Sequence, residues 1–200
     1  SSANNHLIGE LAGLYVATTA WPCWDQSARW RDQAARELEH EAQAQFSSDG
    51  VNREQAFGYH VFSCEFLHVA ALAGQASGRP FPAQYRDSLD RALCFLRSVT
   101  DAGGHVPMVG DADDGAVYRL DPANPGRAAL LLSLGDAPHG ATARWLLGAF
   151  PGQHARAGKA AKATGWAFPD GGYLLFGRAF GSAREVKGML DCGPLGYLGI

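Results

Sequence analysis

Two helical stretches of this 200-residue chain are apolar almost all the way round, and they alternate with two that are apolar on one side only. Leu7, Ile8, Leu11, Ala12, Leu14, Tyr15 and Val16 leave residues 5–20 almost no polar face. Phe57, Val61, Phe62, Phe66, Leu67, Val69 and Leu72 do the same for residues 54–74. In residues 24–45, by contrast, Trp30, Ala34, Leu38 and Ala42 recur every fourth position, with Arg31, Asp32, Arg36, Glu37, Glu39 and Glu41 on the other side. Residues 83–100 repeat that pattern, with Tyr85, Leu89, Ala92, Leu93, Leu96 and Val99 as the stripe. A helix that is apolar all round must be enclosed, and one-sided helices do the enclosing. Short turns, such as Ser47–Gly50, make sequence neighbours antiparallel, so the inner helices run parallel and their N-termini share one rim.

The expected fold is therefore mainly α. Residues 1–150 form part of an α/α toroid of antiparallel helix hairpins, including two short helices at 126–134 and 140–150. The character changes near residue 165. Residues 171–178 and 185–191 read as strands joined by a turn at Gly181-Ser182, the first strands of an antiparallel β-sandwich over residues 166–200. Residues 151–165, rich in Gly, Ala and Lys, form the linker. The chain opens almost within a motif and ends on a segment, Gly193–Ile200, that reads as unfinished; a piece of a longer protein is expected.

The net charge of −3 gives no overall attraction to nucleic acid or to a membrane surface. No apolar run approaches the roughly 18 residues that span a bilayer. Cys23, Cys64, Cys94 and Cys192 have no metal-ligand spacing, and Cys64 and Cys94 read as buried thiols. No metal site and no cofactor are expected in these residues.

The candidate chemistry collects on the shared rim. Asn5 and His6 open the first inner helix, and Tyr59 and His60 lie in the first turns of the second. Taken singly, Asn5 reads as a helix cap and Tyr59-His60 as a core aromatic beside a satisfied histidine. Their common placement at positive helix ends gives a second reading, a site for an anionic ligand. The loop Gly110-Asp111-Ala112-Asp113-Asp114-Gly115 falls on the same rim; Asp111 and Asp113 are candidate cleft residues, and the ligand spacing of an EF-hand is absent. Glu10, one turn below His6, reads as a buried, paired acid and as a candidate substrate contact. Arg53 could hold a carboxylate or sulfate bidentately, or be a solvated loop arginine.

Four stretches carry a resemblance: Asn4-Asn5-His6-Leu7-Ile8-Gly9-Glu10; Asp49-Gly50-Val51-Asn52-Arg53-Glu54-Gln55-Ala56-Phe57-Gly58-Tyr59-His60; Pro107-Met108-Val109-Gly110-Asp111-Ala112-Asp113-Asp114-Gly115; and Phe168-Pro169-Asp170-Gly171-Gly172-Tyr173. In this order they resemble the heparinase II/III-like polysaccharide lyases, a group that includes related alginate lyases. The resemblance implies a toroid followed by a β-sandwich, and eliminative cleavage of an acidic, uronate-containing polysaccharide. It implies that Tyr59 moves the proton and that Asn5 or His6 neutralises the uronate carboxylate, with the spacing favouring Asn5. His60, Arg53, Glu10, Asp111 and Asp113 are the expected substrate contacts. It also implies a histidine from the early β-sandwich, which this sequence does not include, so the isolated chain is expected to lack one catalytic group. A structural divalent metal in the following β domain, and a periplasmic or secreted location, belong to the same implication. The alternatives are a glycoside hydrolase using Asp111, Asp113 or Asp114 on the same toroid, and a non-catalytic glycan-binding or exopolysaccharide-assembly protein.

Overall fold

The computed structural model describes residues 4–111, 115–117, 127–128, 131–132 and 164–194. Four long helices come first: α1 (Asn5–Ala20), α2 (Ser27–Ala44), α3 (Phe57–Ala76) and α4 (Ala83–Val99). Three strands follow, β1 (Gly165–Phe168), β2 (Tyr173–Arg178) and β3 (Val186–Asp191), in an antiparallel sheet of order β1-β2-β3. The fold is a partial helical toroid followed by an antiparallel sheet. The helices expected at 126–134 and 140–150 and the linker at 151–165 lie wholly or mostly outside the described residues; 127–128 and 131–132 are helical.

The boundaries of α1 and the start of α3 have local causes. The Asn4 side chain accepts from His6 N at 3.1 Å and caps α1. Pro22, just past its end, disfavours helical geometry at Trp21. Helix α3 has no side-chain cap; Phe57 N donates instead to Val109 O at 3.0 Å, which pins the 107–111 loop to the start of that helix. Helix α1 packs on α2 and α3, α3 on α4, and α2 on α4.

The two inner helices run parallel. In the first half of α1, Gly9 leaves just enough space for the Phe66 ring from the middle of α3, where a Cβ would come within 2.9 Å of Phe66 Cζ. Near their ends, Tyr15 lies against Gly74 and its hydroxyl reaches Arg79 O at 3.5 Å. Helix α3 is buried round most of its circumference, as expected, from Phe57 and Val61 to Leu67, His68 and Ala70. Helix α1 is not enclosed by the described residues: Ile8, Leu11, Ala12 and Tyr15 are buried, but Gly13 and Leu14 face outward, because α2 and α3 cover it from two sides only.

The sheet shares the helical core. Phe57, Phe95, Phe168 and Tyr173 form an aromatic cluster with ring centroids 4.8–5.6 Å apart. Polar ties reinforce it. Asp49 Oδ2 accepts from the backbone N–H groups of Asp170 at 2.8 Å and Gly171 at 3.1 Å, and Ser48 donates to the Asp170 carboxylate. Lys187 Nζ donates to Ser98 O and Thr100 O at 2.9 and 2.6 Å, a cation on the carbonyl end of α4. Glycines let the backbone close up here: at the joint itself a Cβ on Gly171 would clash with the Val51 side chain. Gly50 has φ +91° with its Cα against the Arg91 carbonyl, and Gly172 has φ +83° packed on Gly193. Gly171-Gly172 thus forms the β1–β2 turn rather than a strand start, and β1 is a strand not anticipated from the sequence.

Candidate active site at the helix N-termini

The rim is built by a clamp between its two inner helices. Asn5 is only 4 % exposed. Its backbone N–H donates to Glu54 Oε1 at 2.9 Å and its Nδ2 to Glu54 Oε2 at 2.8 Å. Glu54 stands just before α3, so the clamp brings the starts of α1 and α3 to the same end of the bundle. Gln45 adds a third strut, donating to Asn4 O at 3.1 Å and to Glu41 at 2.7 Å; Glu41, expected on the outer face of α2, is buried here.

Tyr59 lies two residues into α3 and is half-buried. Its hydroxyl donates to Asp111 Oδ2 at 3.2 Å. The loop carrying Asp111 is the one held by the Phe57–Val109 bond, so the sequence-predicted residues Tyr59 and Asp111 are brought together by backbone pinning. His6 and Arg53 are exposed near the two helix starts. Asp113 and Asp114 lie outside the described residues.

His60 belongs to the core and not to the rim. Its Nε2 lies 3.0 Å from Ala92 O and its Nδ1 accepts from Asn52 N at 3.3 Å, which assigns the proton to Nε2 and uses both nitrogens. Burial pushes its pKa down to about 4. The expected substrate contact is therefore replaced by packing, with the ring edge-on to Phe46 and Phe95. Glu10, expected as a buried acid, is exposed, because its position on α1 faces away from α2 and α3. Cys64 is buried as expected, and Cys94 is exposed on α4. Among the described residues no group of three His, Cys, Asp or Glu side chains could hold a metal.

Two acids not anticipated from the sequence organise the neighbourhood. One is Glu54. The other is Glu65, 1 % exposed in the middle of α3. It accepts from Arg127 Nη2 at 2.8 Å and from Val117 N at 3.0 Å, while the Arg127 guanidinium lies 5.7 Å from the centre of the Phe62 ring. A signal for Glu65 is present in the chain: an acid within the apolar run Phe62-Ser63-Cys64-Glu65-Phe66-Leu67 must find a partner. Arg127 also borders a cleft of about 250 Å³ lined by Gly58 and Val61 of α3 and by His105 and Val106. The cleft therefore adjoins the turn of α3 that carries Tyr59.

A model of the heparinase II/III N-terminus family matches residues 1–121. The heparin-sulfate lyase of Pedobacter heparinus is 27 % identical over 110 residues, covering 54 % of this chain and 17 % of that protein. Two solved structures titled heparinase III superpose with a TM-score of 0.69 at 20 % identity, each over 98 % of this chain. The chain spans 29 % and 30 % of their lengths.

Proposed function

We propose a function from the premise that this chain belongs to the heparinase II/III N-terminus family, whose model matches more than half of it. The proposed activity is that of a polysaccharide lyase, cleaving an acidic, uronate-containing polysaccharide by β-elimination outside the cytoplasm, in the periplasm or after secretion. The observation that carries this reading is the parallel pair of inner helices, whose N-termini meet through the Asn5–Glu54 clamp with the Tyr59 hydroxyl at the same end.

The chemistry asks for what such a rim can offer. The C5 proton of a uronate is hard to remove because the adjacent carboxylate is already negative. Donors on that carboxylate let it take up charge as the proton leaves. The donor role falls to Asn5, which is buried with one of its two Nδ2 hydrogens on Glu54, or to the exposed His6 beside it. As the phenolate, a form that nearby donors and positive groups favour, Tyr59 takes the C5 proton. The electron pair left at C5 forms the C4–C5 double bond as the C4–O bond breaks. The departing oxygen takes that proton from Tyr59, which returns to the phenolate. Further acidic groups would be met by Arg53, exposed beside the start of α3, and by Arg127, which lines the cleft while paired with Glu65.

The test uses the full-length protein and an acidic polysaccharide. New chain ends should absorb in the near ultraviolet, and Tyr59→Phe should remove that signal while leaving the thermal midpoint in place. Cleavage without a double bond would identify a hydrolase instead, and binding without turnover a non-catalytic glycan-binding protein. A fully active Tyr59→Phe enzyme would exclude Tyr59 from the mechanism.

A further inference from the structure

The Glu54 carboxylate commits both of its oxygens to one residue 49 positions away, one to the backbone of Asn5 and one to its side chain. A capping role would need only the first. The α1 terminus already has a cap in Asn4, whose side chain accepts from His6 N. The second bond, from Asn5 Nδ2, adds nothing to the helix. What it does is select one of the two orientations of the amide, which otherwise exchange its oxygen and nitrogen ends by a half-turn of the terminal torsion. The flipped amide would set its oxygen against the Glu54 carboxylate; in the observed one Nδ2 gives one hydrogen to Glu54 and keeps the second for an anionic group.

We propose that Glu54 is a positioning residue of the elimination site, holding the Asn5 amide with its nitrogen end fixed and setting the separation of Asn5 from Tyr59. This rests on the role given to Asn5 above. Glu54 is itself held in place: its backbone N–H donates to Asn52 Oδ1 at 2.8 Å, and Asn52 N is bonded to the buried His60 ring. It lies five residues before Tyr59 on the segment that opens α3. One carboxylate thus ties the proposed carboxylate-binding amide to the proposed proton-moving phenol.

Glu54→Gln tests this in the full-length enzyme. Glutamine keeps the size of the side chain but has one acceptor where two are used. Turnover at saturating uronate polysaccharide should fall by about tenfold or more, because misorientation of a reacting group by ~1 Å costs up to ~100-fold. KM should stay close to that of the parent, while the thermal midpoint falls only modestly with the loss of one bond of the clamp. In an Asn5→Ala background, the same change should cause no further fall in turnover. Wild-type turnover in Glu54→Gln with a lowered midpoint would leave Glu54 as a plain structural tie and overturn the proposal. So would an equal fall in both backgrounds. Full turnover of Asn5→Ala would instead remove the role of Asn5, and with it the site reading on which this depends. Should Glu54→Gln fail to fold, Glu54→Asp, with both oxygens on a shorter stem, carries the same comparison of kcat against KM.

Discussion

At the scale of single residues, similar groups a few positions apart have opposite fates. Tyr59 and His60 are neighbours in sequence, yet successive helical positions differ by about 100°, so one reaches the rim and the other the core. The core histidine carries a measurable consequence. His60 and His68 are both pushed down to about 4 by burial, from an ordinary value of 6.5. Each is neutral in the fold, while the unfolded chain binds a proton below about 6.5. Their contribution to stability is therefore complete above that pH and declines as the pH falls towards 4, by ~1.4 kcal/mol for each ring per pH unit. Urea midpoints measured between pH 4 and 7 should fall with acidity over this window. His60→Gln, which can still donate to Ala92 O, should flatten that slope. An unchanged slope would show that the ring does not titrate with unfolding.

At the scale of elements, the four helices could be read from sequence because their apolar periodicity is long and strong. Periodicity also separated the enclosed α3 from the one-sided α2 and α4. What it could not supply was the pairing of charges across the fold. Glu54 with Asn5 and Glu65 with Arg127 are separated by 49 and 62 positions, and no local pattern encodes them. Strand β1 was too short to stand out, with four residues whose alternation shows only against β2. The buried pair makes a prediction about how α3 holds the chain beyond it. Arg127→Ala would leave the Glu65 carboxylate buried with one backbone donor, and removing one partner of such a pair costs about 3–5 kcal/mol. Denaturant unfolding should register that loss, whereas the double change Glu65→Leu with Arg127→Leu should recover much of it. The helix-to-sheet joint is more modest. Asp49→Ala removes the acceptor of Asp170 N and Gly171 N, which should cost about 1–3 kcal/mol and increase proteolysis at the β1–β2 turn.

At the scale of the whole molecule, the sheet has two unlike faces. Tyr173 and Leu175 of β2 point into the helical core, together with Met189 of β3. On the opposite face Leu174, Phe176, Val186 and Leu190 are 41, 51, 51 and 53 % exposed. Their register puts them side by side, with Leu174 opposite Leu190 and Phe176 opposite Gly188, where the ring lies over the glycine. A contiguous apolar sheet face of this kind favours association, whereas scattered exposed side chains would not. The 200-residue chain on its own should therefore bind a hydrophobic dye and self-associate as its concentration rises. Phe176→Ser with Leu190→Ser should lower dye emission and sedimentation weight together, with little change in thermal midpoint, because neither side chain contributes to the core. The exposed Trp21 and Trp24 at the far end of α1 provide the internal comparison. If dye emission follows Trp21→Ser and Trp24→Ser but not the sheet substitutions, association runs through the helix end and the sheet face is not responsible.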